Sequence, residues 1–157
     1  MIIFGYPGIG KSTLSRNPKS KALSKYVDLE SSLFKNTNDP NWYITYACVA
    51  ESLSEQGFTV FLSTHPEVIK ALDTSKEDKV IITPDIRFEK LWLDKLNIRR
   101  VASNSFKDKM AYLRARDHYK DDIGELQKYA SRHKDVKLIV ITKSNYDLED
   151  ILREELL

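Results

Sequence analysis

The sequence predicts an α/β fold in three layers, a five-stranded parallel sheet with helices on both faces. Three observations lead there. Short apolar runs recur five times along the 157 residues. Longer stretches with helical spacing separate them, and this alternation buries both faces of a parallel sheet. The first run also leads into a glycine-rich loop, Gly5-Tyr6-Pro7-Gly8-Ile9-Gly10-Lys11-Ser12, which opens a helix.

Met1-Ile2-Ile3-Phe4 reads as a buried strand ending in Gly5. A short helix follows from about Lys11 to Arg16 and is stopped by Asn17-Pro18. Lys25-Tyr26-Val27-Asp28 is a second strand, and Lys35 to Pro40 a polar loop. From Asn41 to Gln56 apolar residues recur at helical spacing (Trp42, Tyr46, Val49, Leu53), with Gly57 as the stop. Phe58 to Leu62 is the third strand. Thr64-x-x-Glu67 resembles a capping box opening a helix through Val68, Ile69 and Leu72. Lys79 to Ile82 is the fourth strand, stopped at Thr83-Pro84. Asp85 to His133 holds no good strand and reads as two or three helices rich in Lys, Arg and Asp. Lys137 to Ile141 is the last strand, and Asn145 to Leu157 an acidic amphipathic helix.

The length suits one compact domain, residues 1–157, with a helical lid-like insertion at about 85–133. A net charge of +2 gives no large single-sign field, which argues against a dedicated nucleic-acid binder. One cysteine, Cys48, excludes an internal disulfide and a Cys-based zinc site, and its setting reads as a small core residue. No apolar run approaches the ~20 residues of a membrane span. With no basic leader ahead of the first strand, a reducing, cytoplasmic setting is expected.

Gly5, Gly10, Lys11 and Ser12 meet the P-loop pattern G-x-x-x-x-G-K-[ST]. In such a loop, backbone N–H groups curl around a β-phosphate at the positive end of the following helix. Gly8, Ile9, Gly10, Lys11, Ser12 and Thr13 are the candidates here. Glycine is required where a Cβ would block the approach. Lys11 would bridge the β- and γ-phosphates, and the Ser12 hydroxyl would ligate Mg²⁺. The expected ligands are therefore ATP and Mg²⁺. A second constellation, Asp28-Leu29-Glu30-Ser31-Ser32, places two carboxylates at i and i+2 after a strand. Phosphoryl transfer needs an anion to hold Mg²⁺ or its waters, and often one to take the acceptor's proton. Acids that favour a helix N-terminus are the alternative reading. Ligands of open parallel sheets bind beyond the carboxyl ends of the strands, so Asp28, Ser63 and Lys143 can share one crevice with the P-loop.

A P-loop followed by an acid-x-acid pair after the second strand resembles the small P-loop kinases. These include nucleoside monophosphate kinases, shikimate and gluconate kinases, and nucleotide kinase-like proteins of bacteria and phages. The resemblance implies strand order 2-3-1-4-5 and phosphoryl transfer from ATP. It also implies a lid between the fourth and fifth strands that brings arginines to the transferring group. Arg87, Arg99, Arg100, Arg114 and Arg116 stand in that segment, with Arg99-Arg100 preferred because they precede the polar break Ala102-Ser103-Asn104-Ser105. Two features depart from the pattern. Ser63-Thr64-His65 carries no acid where many P-loop proteins keep a Walker B aspartate, which leaves that work to Asp28. The Asp-Gly-Phe-Pro-Arg stretch of adenylate kinases is absent.

The expected activity is a small-molecule kinase acting on a nucleoside or (deoxy)nucleoside monophosphate. The acceptor would lie between Asp28-Glu30 and the helix starting at Asn41-Trp42, with His65 either a further contact or part of a Ser63-Thr64-His65 turn that caps the next helix. Trp42, Tyr43 and Tyr46 can stack on a base or be core. Lys143 and Asn145 are placed near the adenine by the resemblance, or else cap the last helix. The rival expectations are a nucleotide-binding regulatory module and a polynucleotide 5′-kinase.

Overall fold

A computed structural model describes residues 1–19 and 25–156. The described residues form a five-stranded, all-parallel sheet in the order β2-β3-β1-β4-β5. The strands are β1 (Ile2–Gly5), β2 (Tyr26–Asp28), β3 (Thr59–Leu62), β4 (Lys79–Pro84) and β5 (Val136–Ile141). The helices are α1 (Lys11–Arg16), α2 (Ser32–Lys35), α3 (Trp42–Glu55), α4 (Pro66–Ala71), α5 (Glu89–Ser103), α6 (Phe106–Arg132) and α7 (Leu148–Leu156). Leu157, expected at the end of the last helix, lies outside the described residues. Helix α3 packs on α4, and α1 packs on α7. Right-handed crossovers put these two pairs on opposite faces, which gives the three layers.

The fully apolar strands fill the core. Ile2, Ile3, Phe61, Leu62, Ile81 and Ile82 are 0% exposed. Strand β4 runs two residues past its expected stop and includes Pro84. The register explains this. The Ile82 carbonyl accepts from Tyr6 N–H at 3.1 Å, so alternate residues of β4 face β1, and Pro84 faces the same side. There β1 has already ended at Gly5, and proline's missing donor leaves no ladder bond unmade.

Three local expectations need correction. Cys48 is exposed, not core. On α3 the buried residues are Tyr46, Ala47, Ala50 and Ser54, and Cys48 lies about 200° around the helix from Tyr46. The Thr64 capping box does not form. The N-cap of α4 is His65, without a side-chain bond, and Pro66 takes the first turn, where its fixed φ suits a helix start. Asn145 does not cap α7. Asp147 Oδ1 accepts the Asp150 N–H at 3.0 Å, the N-cap to N3 bond. A further short helix, α2, follows the acid pair and overlaps the expected polar loop only at Lys35.

The long helical segment divides into an anchored base and a projecting hairpin tip. Helix α5 ends at Asn104, whose φ of 51° is left-handed, and Ser105 caps α6 through the Asp108 N–H at 3.1 Å. The polar break thus forms a tight corner between two helices. Helix α6 loses helical geometry at His118 (φ −136°, ψ 16°), and beyond this kink Tyr119, Ile123, Leu126 and Ala130 are buried. That half packs on β4 and β5 as one of the sheet's covering layers. Of the segment over 85–133 expected to be a lid, the base is packed into the core and the tip projects from it.

Candidate functional site

The P-loop geometry follows from its glycines. Gly8 and Gly10 have φ of 90° and 107°, a region that a Cβ disfavours. A Cβ on Gly5 would lie 2.5 Å from Ile9 Cδ1 and 2.8 Å from Lys11 Cδ. With Gly10 as N-cap, no side chain caps α1. Among the described residues, no backbone acceptor takes the N–H groups of Gly10, Lys11, Ser12 or Thr13. The Lys11 ammonium folds back to the Gly5 carbonyl at 2.6 Å. Burial pushes it down to about 8; Asp28 opposes this, while Lys107 and Arg99 push with burial.

The outer side of the loop is held by aromatic side chains that the sequence reading did not single out. Trp92 of α5, 1% exposed, donates to the Pro7 carbonyl at 2.8 Å. Its indole lies so near Gly8 that an added Cβ would sit 3.1 Å from Nε1. Tyr146 donates to the Ile9 carbonyl at 2.9 Å and stacks on Trp92 at 6.3 Å. Buried Trp92 and Leu96 recur at helical spacing in α5, which is the signal that could have shown α5 to be anchored.

The P-loop opens into a cleft of about 1740 Å³. Asp28, Glu30, Ser63, His65 and Asn145 share its walls with Lys11 and Ser12. The Tyr46 hydroxyl donates to the Leu29 carbonyl at 2.5 Å and accepts from Ser63 N–H at 3.3 Å. It thereby joins the ends of β2 and β3 that carry these groups. Burial, then nearby Lys35, pushes His65 down to about 4, so its ring is neutral at pH 7. Ser31 Oγ lies 3.3 Å from its Nε2.

Other expected site residues lie elsewhere. Asn41, exposed at the start of α3, and Trp42, packed edge-on to His65 at 5.5 Å, do not line the cleft. Lys143 is exposed outside it. Of the five arginines, Arg99 and Arg114 line the cleft. Arg100 does not: its guanidinium sits 4.7 Å over the Tyr112 ring and binds Asn97 Oδ1 at 2.7 Å, because it faces the partner helix of the hairpin. Arg87 and Arg116 pair with neighbouring Asp85 and Asp117, at 2.8 and 3.0 Å, away from the cleft. The cleft-facing arginines are also paired, Arg99 with Asp108 at 3.2 Å and Arg114 with Asp122 at 2.8 Å. A cation not foreseen, Lys107, crosses to Glu30 Oε1 at 3.1 Å and holds the hairpin tip over the acid pair.

Among the described residues, no three His, Cys, Asp or Glu side chains gather as a metal cage. Mg²⁺ needs none, since it keeps several waters and is held by one or two protein oxygens plus substrate phosphates. Ser12 and Asp28, which both line the cleft, supply oxygens of that kind. Among the described residues no helix is long and apolar enough to cross a membrane. No protein-family model matches the chain, and no curated protein matches it either.

Proposed function

We propose that the protein is an ATP-dependent phosphotransferase acting on a small acceptor, a nucleoside or nucleoside monophosphate. One observation carries this reading: a glycine-built P-loop with Lys11 and Ser12 shares a single cleft with Asp28 and Glu30, and Arg99, Arg114 and Lys107 line its walls. Backbone N–H groups and Lys11 suit the β- and γ-phosphates, and the cations suit the charge of a transferring phosphoryl group. Ser12 and Asp28 would hold Mg²⁺, which would supply charge neutralisation to the phosphates.

In this reading an acceptor oxygen attacks the γ-phosphorus. A new O–P bond forms, the bond to the β,γ-bridging oxygen breaks, and ADP leaves. Where the acceptor is a hydroxyl, its proton passes to Asp28 or Glu30. Neutral His65 and the Ser31 hydroxyl can orient the acceptor by hydrogen bonds without adding charge. An exposed free thiol at Cys48 fits the reducing, cytoplasmic setting in which such chemistry runs. The test is acceptor-dependent ADP release from ATP·Mg²⁺ across nucleosides, nucleotides and sugars. Slow hydrolysis that no acceptor stimulates would instead identify a nucleotide-binding regulatory module.

A further inference from the structure

The rim of the cleft above the acid pair carries side chains that phosphate chemistry does not use. Ile98, Phe106 and Met110 line the cleft, yet they are 71%, 78% and 46% exposed. Single exposed apolar residues are ordinary, but a group of them walling a polar cleft is a contact surface. Other rings along the cleft are engaged. Tyr146 stacks on Trp92, Tyr129 stacks on His133, Tyr6 meets Tyr119 edge-on, and His65 meets Trp42 edge-on. Phe106 has no ring or cation partner among the described residues.

Its position selects which substrate it meets. Lys107, the next residue, is bonded to Glu30 beyond β2, at one edge of the sheet. Asn145 and Leu148 follow β5, at the opposite edge. A nucleotide seated on the P-loop with its base toward Asn145 therefore points away from Phe106. Phe106 thus adjoins the residue that reaches the acid pair, where the acceptor is proposed to bind, and the expected stacking residue, Trp42, does not line the cleft.

We infer that Phe106, with Ile98 and Met110, forms a platform for a planar heteroaromatic ring on the acceptor, of nucleobase type. This rests on the phosphotransferase reading and sharpens it. The acceptor's ring lies on the hairpin tip, and its sugar or phosphate end reaches down to Asp28 and Glu30. A phenyl face offers stacking and no hydrogen bonds, so the platform selects for a base over no base more strongly than for one base over another.

ADP release from ATP·Mg²⁺ should be measured with AMP, GMP, CMP, UMP, their nucleosides, ribose 5-phosphate and a 5′-hydroxyl oligonucleotide. At least one base-bearing monomer should stimulate release, and ribose 5-phosphate should not. Phe106→Ala should raise the KM for that monomer about tenfold or more while leaving the KM for ATP unchanged, and Phe106→Tyr should keep the wild-type value. Because Phe106 is 78% exposed, the alanine variant should fold. The platform is overturned by an unchanged acceptor KM in Phe106→Ala, by ribose 5-phosphate acting as well as a base-bearing monomer, or by stimulation from the oligonucleotide alone. It is equally overturned if no base-bearing monomer stimulates release while ATP·Mg²⁺ still raises Tm. Absence of any ATP·Mg²⁺ thermal shift, with Lys11→Ala indistinguishable from wild type, would sink the phosphotransferase reading itself, and the platform with it.

Discussion

The P-loop wall of the cleft takes its shape from backbone, whereas the hairpin tip facing it presents side chains on an exposed helical corner. Gly8 and Gly10 hold left-handed φ, and Trp92 and Tyr146 clamp the Pro7 and Ile9 carbonyls from behind. That wall is set before any ligand arrives, so binding there costs little ordering. The tip is the reverse. Its cleft-facing cations are occupied by carboxylates, Arg99 by Asp108 and Lys107 by Glu30, and its apolar side chains stand in the open. On the proposed reading, ligand phosphates would take these cations from their partners. The half-exposed Lys107–Glu30 pair contributes roughly 0–1 kcal/mol, so that exchange needs only a modest advantage. A fixed wall can bind, and a tip with replaceable partners can respond.

The largest test of this contrast falls on the fixed wall. Lys11→Ala should lower turnover by roughly 10³-fold and shrink the thermal shift given by ATP·Mg²⁺. Unchanged turnover and an unchanged shift would mean the wall is a structural glycine turn. Next comes the acid pair between the two walls. Asp28→Asn should lose Mg²⁺-dependent turnover by about 10²-fold or more while keeping its unfolding midpoint, and Glu30→Gln should chiefly raise the acceptor KM. If steady-state kinetics show wild-type acceptor-dependent rates for both, the acids belong to local structure.

At the tip, Arg99→Ala should lower kcat by about 10- to 100-fold with little change in the KM for ATP, as lost transition-state contact does. Arg100→Ala should leave kcat within about twofold, because that guanidinium lies on Tyr112, and should lower stability by about 0.5–1 kcal/mol. Equal losses of kcat in the two variants would erase the distinction between cleft-facing and helix-facing arginines. The smallest effect is in pH. Burial sets free Lys11 at about 8, and bound phosphates favour its charged form, so its value rises in the complex. ATP affinity should then be flat below pH 8 and weaken by at most about tenfold per unit above it. Calorimetric titration showing affinity that rises with pH in this range would contradict a charged Lys11 on the phosphates.

Much of this was legible in the chain. The strands announced themselves because both faces are buried, so their residues are apolar without alternation, as at Ile2 to Phe4 and Val80 to Ile82. The corner at Asn104 was legible as a polar break between helical runs. Less legible were properties that depend on which way a helix faces. Cys48, Arg99 and Arg100 occupy unremarkable positions along the chain, and only the packing of α3 and of the α5–α6 hairpin turns the first two outward or into the cleft and the third onto Tyr112.

The sequence by itself determined the parallel sheet, the glycine-built loop at the end of β1 and the acid pair at the end of β2. Those features leave local marks in the chain: apolar runs, glycines where φ must be positive, and acids that follow a strand. Tertiary structure alone decided that Trp92 clamps the P-loop from 85 residues away, that Lys107 reaches Glu30, and that Phe106 rather than Trp42 offers a free ring to the cleft. These are contacts between elements far apart in the chain, and a residue's type does not name its partner. They become specific only when crossover handedness and core packing fix how the helices sit over the strand ends.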